Sequence, residues 1–249
     1  MQLWTPEHVK TLLPAMVVML LAALGLRAWL GKKTLKVRMI PLQICTCVLL
    51  LLEVGKQVLS LLRGYDLYHL PFHYCSLFLF VMPLMAFYKG KYRQQVATVG
   101  ASICGAVFLL MAIYPNLIYP AWDVQQFFTS YFSFHTVVYH NIVVFLLMLI
   151  LALDLYTPGE GKEQRTVIWA TVLFCIVAAS MAHILKTNYA NYYTCNIPIL
   201  ETVRLAVASA IGPFVAKLVY IAIVSALNIV FTWGVYLLCR ITHKYTKLP

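Results

Sequence analysis

Residues 40–62 read Ile-Pro-Leu-Gln-Ile-Cys-Thr-Cys-Val-Leu-Leu-Leu-Leu-Glu-Val-Gly-Lys-Gln-Val-Leu-Ser-Leu-Leu. As a helix rising 1.5 Å per residue, this run is roughly 34 Å long. That is enough to cross the roughly 30 Å hydrocarbon core of a bilayer. Its two charges, Glu53 and Lys56, stand three apart and share one helical face. Six more apolar runs flank it: Leu12 to Leu30, Leu70 to Tyr88, Val96 to Tyr114, Phe134 to Leu153, Val167 to Leu185 and Pro213 to Leu238. They predict an all-α, polytopic membrane protein of seven transmembrane helices, forming a single domain over residues 1–249.

The composition agrees. Of 249 residues, 62% are apolar and 11% charged, where a soluble domain carries about 25% charged residues. Mean hydropathy is +0.83. A soluble domain, a nucleic-acid-binding domain and a disordered chain are excluded, despite the net charge of +11. The runs lack the alternation of a membrane β-barrel.

Basic residues set the expected direction. Thirteen of the 19 Lys and Arg fall on one side of the seven spans: Arg27, Lys32, Lys33, Lys36, Arg38, Lys89, Lys91, Arg93, Lys162, Arg165, Arg240, Lys244 and Lys247. Lys10, Arg63, Lys186 and Arg204 fall on the other, and Lys56 and Lys217 lie within spans. Positive charge favours the cytoplasmic side, which predicts an external N-terminus and a cytosolic C-terminus. The first run has its basic cluster after it rather than before it, which predicts an uncleaved first helix rather than a signal peptide. Two longer loops fall outside, Pro115 to Ser133 and Lys186 to Gly212. The second contains an amphipathic stretch, Ile199 to Ile211, suited to an interfacial or re-entrant helix.

Polar side chains within spans are costly in lipid and are default site candidates. Glu53 and Lys56 can neutralise each other, and a structural ion pair is the plainer reading. Cys75 and His140 each lie five or six residues below the outer end of a span, roughly 8 Å to 9 Å deep. Lys56 is at a similar depth. A cysteine beside a histidine can act as a nucleophile with its general base, and an asparagine can orient the imidazole or stabilise an oxyanion. The expected catalytic set is Cys75, His140 and Asn188. His73, Glu53, Lys56, His135 and Tyr189 are the expected substrate-binding residues around it. Taken singly, such a cysteine is more often apolar filler and such a histidine a satisfied bundle residue. Cys195, on the same side, could instead cross-link to Cys75. The spacing of the seven cysteines suggests no metal site, and no cofactor motif is present.

Four segments carry a family resemblance: Leu70-Pro71-Phe72-His73-Tyr74-Cys75, His140 with the apolar run after it, Thr187-Asn188-Tyr189, and Gly212-Pro213. Through them the sequence resembles the YwaF-type integral membrane proteins. It is also similar to their animal relative, a multi-span transmembrane acyltransferase of ether-phospholipid remodelling. The resemblance implies a seven-helix fold in a bacterial cell membrane and Cys-His acyl transfer, with the family's cysteine on Cys75 and its histidine on His140. The partner it implies is a membrane lipid substrate, with no nucleic acid. The oligomeric state is left open. The alternatives are a small transporter or channel, with Glu53, Lys56 and His140 along a path, and a seven-helix receptor or assembly subunit.

Overall fold

A computed structural model describes residues 3–159 and 161–248. Its elements, in order, are α1 (Pro6–Leu30), α2 (Leu35–Arg38), α3 (Ile40–Leu62), two 3-10 turns (Leu67–His69 and Tyr74–Leu77), α4 (Phe78–Phe87), α5 (Arg93–Ile113), α6 (Pro115–Ile118), α7 (Ala121–Gln125), α8 (Tyr131–Ala152), α9 (Lys162–Ile184), α10 (Pro198–Ile211) and α11 (Pro213–Thr246). No strand occurs among the described residues. Six helical segments are long and apolar enough to cross a membrane: α1, Leu35–Leu62, α5, α8, α9 and Pro213–Tyr245 of α11.

The run at Leu70 to Tyr88 departs from expectation. Only Tyr74–Phe87 is helical there, shorter than the other six. At 1.5 Å per residue it reaches about 21 Å, less than the bilayer core. Pro71 is the cause. A proline disfavours helical geometry in the residue before it, and Leu70 is extended, with φ −63° and ψ 147°. Leu70 to His73 therefore forms the last part of an irregular strap, residues 65–73, ahead of the helix.

α5 is the central helix, packed against α4, α8, α9 and α11. Its sequence explains this position. Gly100, Ala101, Ser102, Cys104, Gly105 and Ala106 are small and buried, and small residues let helix backbones approach closely in lipid. A β-carbon on Gly105 would stand 2.6 Å from Val235 Cγ1 of α11. α1 and α11 are peripheral and keep most of their apolar surface outward.

The seven apolar elements alternate in direction, and polar ties at the two ends record it. At one end Arg27 donates to the Ala152 carbonyl at 3.0 Å, Arg38 donates to the Leu153 carbonyl at 2.7 Å, and Gln43 donates to the Ala86 carbonyl at 3.0 Å. His243 Nδ1 lies 3.6 Å from Asp154. This is the basic end. At the other end His8 Nε2 donates to the Tyr119 carbonyl at 2.9 Å, and Gln125 donates to Glu7 at 3.1 Å. These bonds fasten α1 to the loop 114–130, which folds into α6 and α7. α10 matches the amphipathic stretch read from sequence. It packs along α11 and has no buried residue.

Candidate functional site

The end opposite the basic one holds a polar cluster inside an apolar bundle. α3, the strap with the turn that follows it (65–75) and α8 supply it. Glu53 is its centre and is 8% exposed. Its Oε1 lies 2.8 Å from Lys56 Nζ and accepts from Gln57 Nε2 at 2.7 Å. Its Oε2 lies 3.2 Å from His135 Nε2 on α8, close enough for an ion pair but off hydrogen-bond alignment. Gln57 also donates to the His69 carbonyl at 2.8 Å, and its own carbonyl accepts from the Tyr65 hydroxyl at 2.6 Å. One carboxylate thus ties α3 to α8, and its neighbour Gln57 ties α3 to the strap. Charges removed from water persist only when paired and hydrogen-bonded in this way. α3 and α8 can meet because Gly55 leaves room: a β-carbon there would fall on the Tyr131 hydroxyl, which donates to the Leu52 carbonyl at 3.0 Å.

Cys75 lies in the turn leading into α4. Its main-chain carbonyl accepts from the Tyr139 hydroxyl at 3.2 Å. The Tyr139 ring stacks on His135, with centroids 5.1 Å apart, and meets His140 edge-on at 5.6 Å. His140 is 7% exposed, and its Nδ1 donates to the Thr136 carbonyl at 2.7 Å. A carbonyl accepts only, so Nδ1 carries the proton and Nε2 keeps a lone pair. Nε2 is thus the ring atom able to take up a proton. No hydrogen bond joins the Cys75 thiol to His140 among the described residues. Cys75 and Cys195 are both unlinked thiols.

The remaining candidates lie in the walls. His73 Nε2 donates to the Tyr68 carbonyl at 3.1 Å, and its ring lies 5.3 Å from that of Tyr189. Tyr189 is fully buried, packs on Phe72 and donates its hydroxyl to the Leu67 carbonyl. The loop after α9 is thereby pinned to the strap. Asn188 is engaged within its own loop. Its Oδ1 accepts from the main-chain N–H groups of Tyr193 and Thr194, both at 3.2 Å, and its Nδ2 donates to Asn196 at 3.0 Å. Glu53, Lys56, His135, Cys75 and His140 therefore share one neighbourhood. His73 and Tyr189 border it, and Asn188 shapes the loop beside it. No His, Cys, Asp and Glu group suited to a metal occurs among the described residues.

The family model described as the TMEM164 family matches residues 3–237. The chain belongs to the TMEM164 family. Searches of curated proteins and of solved structures found no match. Family membership and the apolar helices together make this an integral membrane protein.

In this TMEM164-family chain, sequence reasoning overlooked Tyr139, which links the cysteine segment to both histidines. A signal was available, since Tyr139 follows His135 by one helical turn and precedes His140 directly. His69 was overlooked as well. Its Nδ1 lies 2.8 Å from Ser60 Oγ, and its ring stacks on Phe132 at 4.7 Å. Burial, followed by the nearby Lys56 ammonium, holds its pKa below the ordinary 6.5.

Proposed function

We propose that the protein is a membrane lipid acyltransferase or transacylase, with Cys75 as nucleophile and His140 as general base. The observation that carries this reading is the Tyr139 link, which ties the backbone of Cys75 to the helix turn bearing a correctly tautomeric His140. In the reaction the Cys75 thiol gives its proton to His140 Nε2 and its sulfur attacks an ester carbonyl. The ester C–O bond breaks, and the leaving alkoxide takes the proton from His140. The acyl group remains on Cys75 as a thioester. A second lipid hydroxyl, deprotonated by the same imidazole, attacks the thioester and releases the thiol. Water in place of that hydroxyl gives hydrolysis. Catalytic hydrogen bonds often tighten only in the Michaelis complex, so an open Cys75–His140 pair is compatible with the role.

The topology belongs to the same proposal. All seven apolar runs span the membrane, the short one with Leu70 to His73 filling the remaining depth, and the basic end faces the cytosol. The Cys75 cluster then lies in the outer leaflet near the depth of phospholipid ester carbonyls. Cytosolic acyl-coenzyme A does not reach that level, which favours a lipid acyl donor. The resemblance to YwaF-type proteins supports a bacterial cell membrane as the location within this proposal. A transporter path fits less well, because Glu53, Lys56 and Gln57 satisfy one another and offer no open relay.

The test is acyl transfer by purified protein in nanodiscs, from a phospholipid with a labelled acyl chain to a lysophospholipid. Cys75→Ala and His140→Ala are expected to abolish transfer while the melting temperature holds within a few degrees. His135→Ala should be milder. Full transfer in Cys75→Ala overturns the nucleophile. Loss in His135→Ala with retention in His140→Ala moves the base to His135.

A further inference from the structure

The basic end carries a feature that acyl transfer does not use. α5 and α9 begin side by side there, and their first turns bound a cleft of about 310 Å³. Tyr92, Gln95, Lys162, Arg165 and Thr166 line it. Two of the five are cations, and no described carboxylate is among them. Glu163, on the same turn as Lys162, lies against Gly159 instead. Lys162 and Arg165 are exposed. Arg165 donates from Nε to the Gly161 carbonyl at 3.4 Å, and its terminal nitrogens bond to nothing among the described residues. The Lys91 ammonium sits 4.9 Å over the Tyr92 ring and adds a third positive charge at the rim. Guanidinium and ammonium groups converging on one cleft match a phosphate oxyanion.

Two further observations narrow the ligand. Gln95 Oε1 is buried and accepts no hydrogen bond. A buried acceptor without a donor is costly, and a phosphodiester brings no donor of its own to it, whereas a headgroup hydroxyl does. The cleft also stands at the first turns of two helices long and apolar enough to cross a membrane, the level at which a lipid headgroup would lie. Trp169 is one turn further along α9, 69% exposed, in the manner of an interfacial aromatic anchor.

The geometry points to a binding site for a phosphate ester that also carries a hydroxyl, of the kind found in the headgroup of an anionic phospholipid such as phosphatidylglycerol. Lys162 and Arg165 hold the phosphate, a headgroup hydroxyl donates to Gln95 Oε1, and the acyl chains run down the outer surface of α9. The site lies at the opposite end of the bundle from Cys75 and stands or falls independently of acyl transfer.

Native mass spectrometry of the intact protein in detergent tests it, with dioleoylphosphatidylglycerol, dioleoylphosphatidylcholine or dioleoylphosphatidylmethanol added as probe. The expected result is roughly tenfold tighter retention of phosphatidylglycerol than of phosphatidylcholine. The pair Lys162→Gln and Arg165→Gln loses that preference. The pair Lys32→Gln and Lys33→Gln, which removes equal charge from the same end, keeps it. Lys162→Arg with Arg165→Lys, which conserves both charges, also keeps it. Gln95→Leu weakens phosphatidylglycerol about threefold and leaves phosphatidylmethanol, an anionic diester without the hydroxyl, unchanged. Millimolar glycerol phosphate that displaces the lipid assigns the same site to a soluble ester, and failure to displace it assigns the site to the lipid. Wild-type preference in the Lys162 and Arg165 pair, or equal loss in the Lys32 and Lys33 pair, overturns the proposal.

Discussion

The Tyr139 hydroxyl donates to the main-chain carbonyl of Cys75 at 3.2 Å, and the Tyr139 ring contacts both His135 and His140. One residue therefore sets where the cysteine turn stands relative to both imidazoles. Tyr139→Phe keeps the ring packing and removes the hydrogen bond. Its stability cost should be about 1 kcal/mol, with acyl transfer reduced about tenfold. Tyr131→Phe is the control, since it removes a similar bond, to the Leu52 carbonyl at 3.0 Å, away from Cys75. It should melt like Tyr139→Phe and retain activity. Equal activity in the two variants would reduce Tyr139 to a packing residue.

The Glu53 cluster gives a prediction about order. Glu53→Leu strands the Lys56 ammonium and leaves His135 without its carboxylate. Breaking a buried pair from one side costs about 3–5 kcal/mol. Changing Lys56→Met as well removes the stranded charge, so the double variant should melt above the single one. Thermal melting of the three proteins in one detergent decides it. A double variant less stable than the single would show that Lys56 contributes independently of Glu53.

The same cluster shows what a linear reading can reach. Ile40 to Leu62 matched α3 residue for residue, because Pro41 in the first turn and Arg63-Gly64 after the last bracket a predominantly apolar run. Leu70 to Tyr88 was equally apolar, yet its first four residues are a strap. Apolarity reports burial, and only Pro71 reported the local conformation. The Glu53 and Lys56 pair was legible because a helix brings positions three apart together. The tie to His135 was not, because α3 meets α8 only in the tertiary fold. Asn188 gave no sign that it would saturate its own loop. Ala190 and Asn191, at φ 48° and 64°, turn that chain back on itself; asparagine tolerates the left-handed region, but the identity of Ala190 gives no sign of it.

Membrane orientation is open to direct test. Gln125 is exposed at the end that holds Glu7 and Tyr119, and Lys91 is exposed at the basic end. In a background lacking the native cysteines, Gln125→Cys on intact cells should react with an impermeant maleimide. Lys91→Cys should react only after the membrane is opened. The reverse pattern would put the Cys75 cluster in the inner leaflet and remove the argument for a lipid acyl donor.

Acidity should act through His69, which stands on the 3-10 turn Leu67–His69 at the outer part of the strap, before the apolar run that begins at Leu70. Its pKa is held below 6.5, first by burial and then by Lys56, while Asp66 and Glu53 pull weakly the other way. Below pH 6.5 the unfolded chain binds a proton at this position that the folded chain refuses. The contribution of His69 to stability is therefore complete above pH 6.5 and lost progressively as the pH falls below it. A single proton limits the slope to about 1.4 kcal/mol per pH unit. Melting temperatures at pH 7.5, 6.5 and 5.5 should fall for the wild type, with most of the change in the last step. His69→Gln removes the titrating group, so its melting temperature should fall less over that step. Parallel curves for the two proteins would show that His69 exchanges no proton on unfolding in this range, and that the acid sensitivity of the strap arises elsewhere in the cluster.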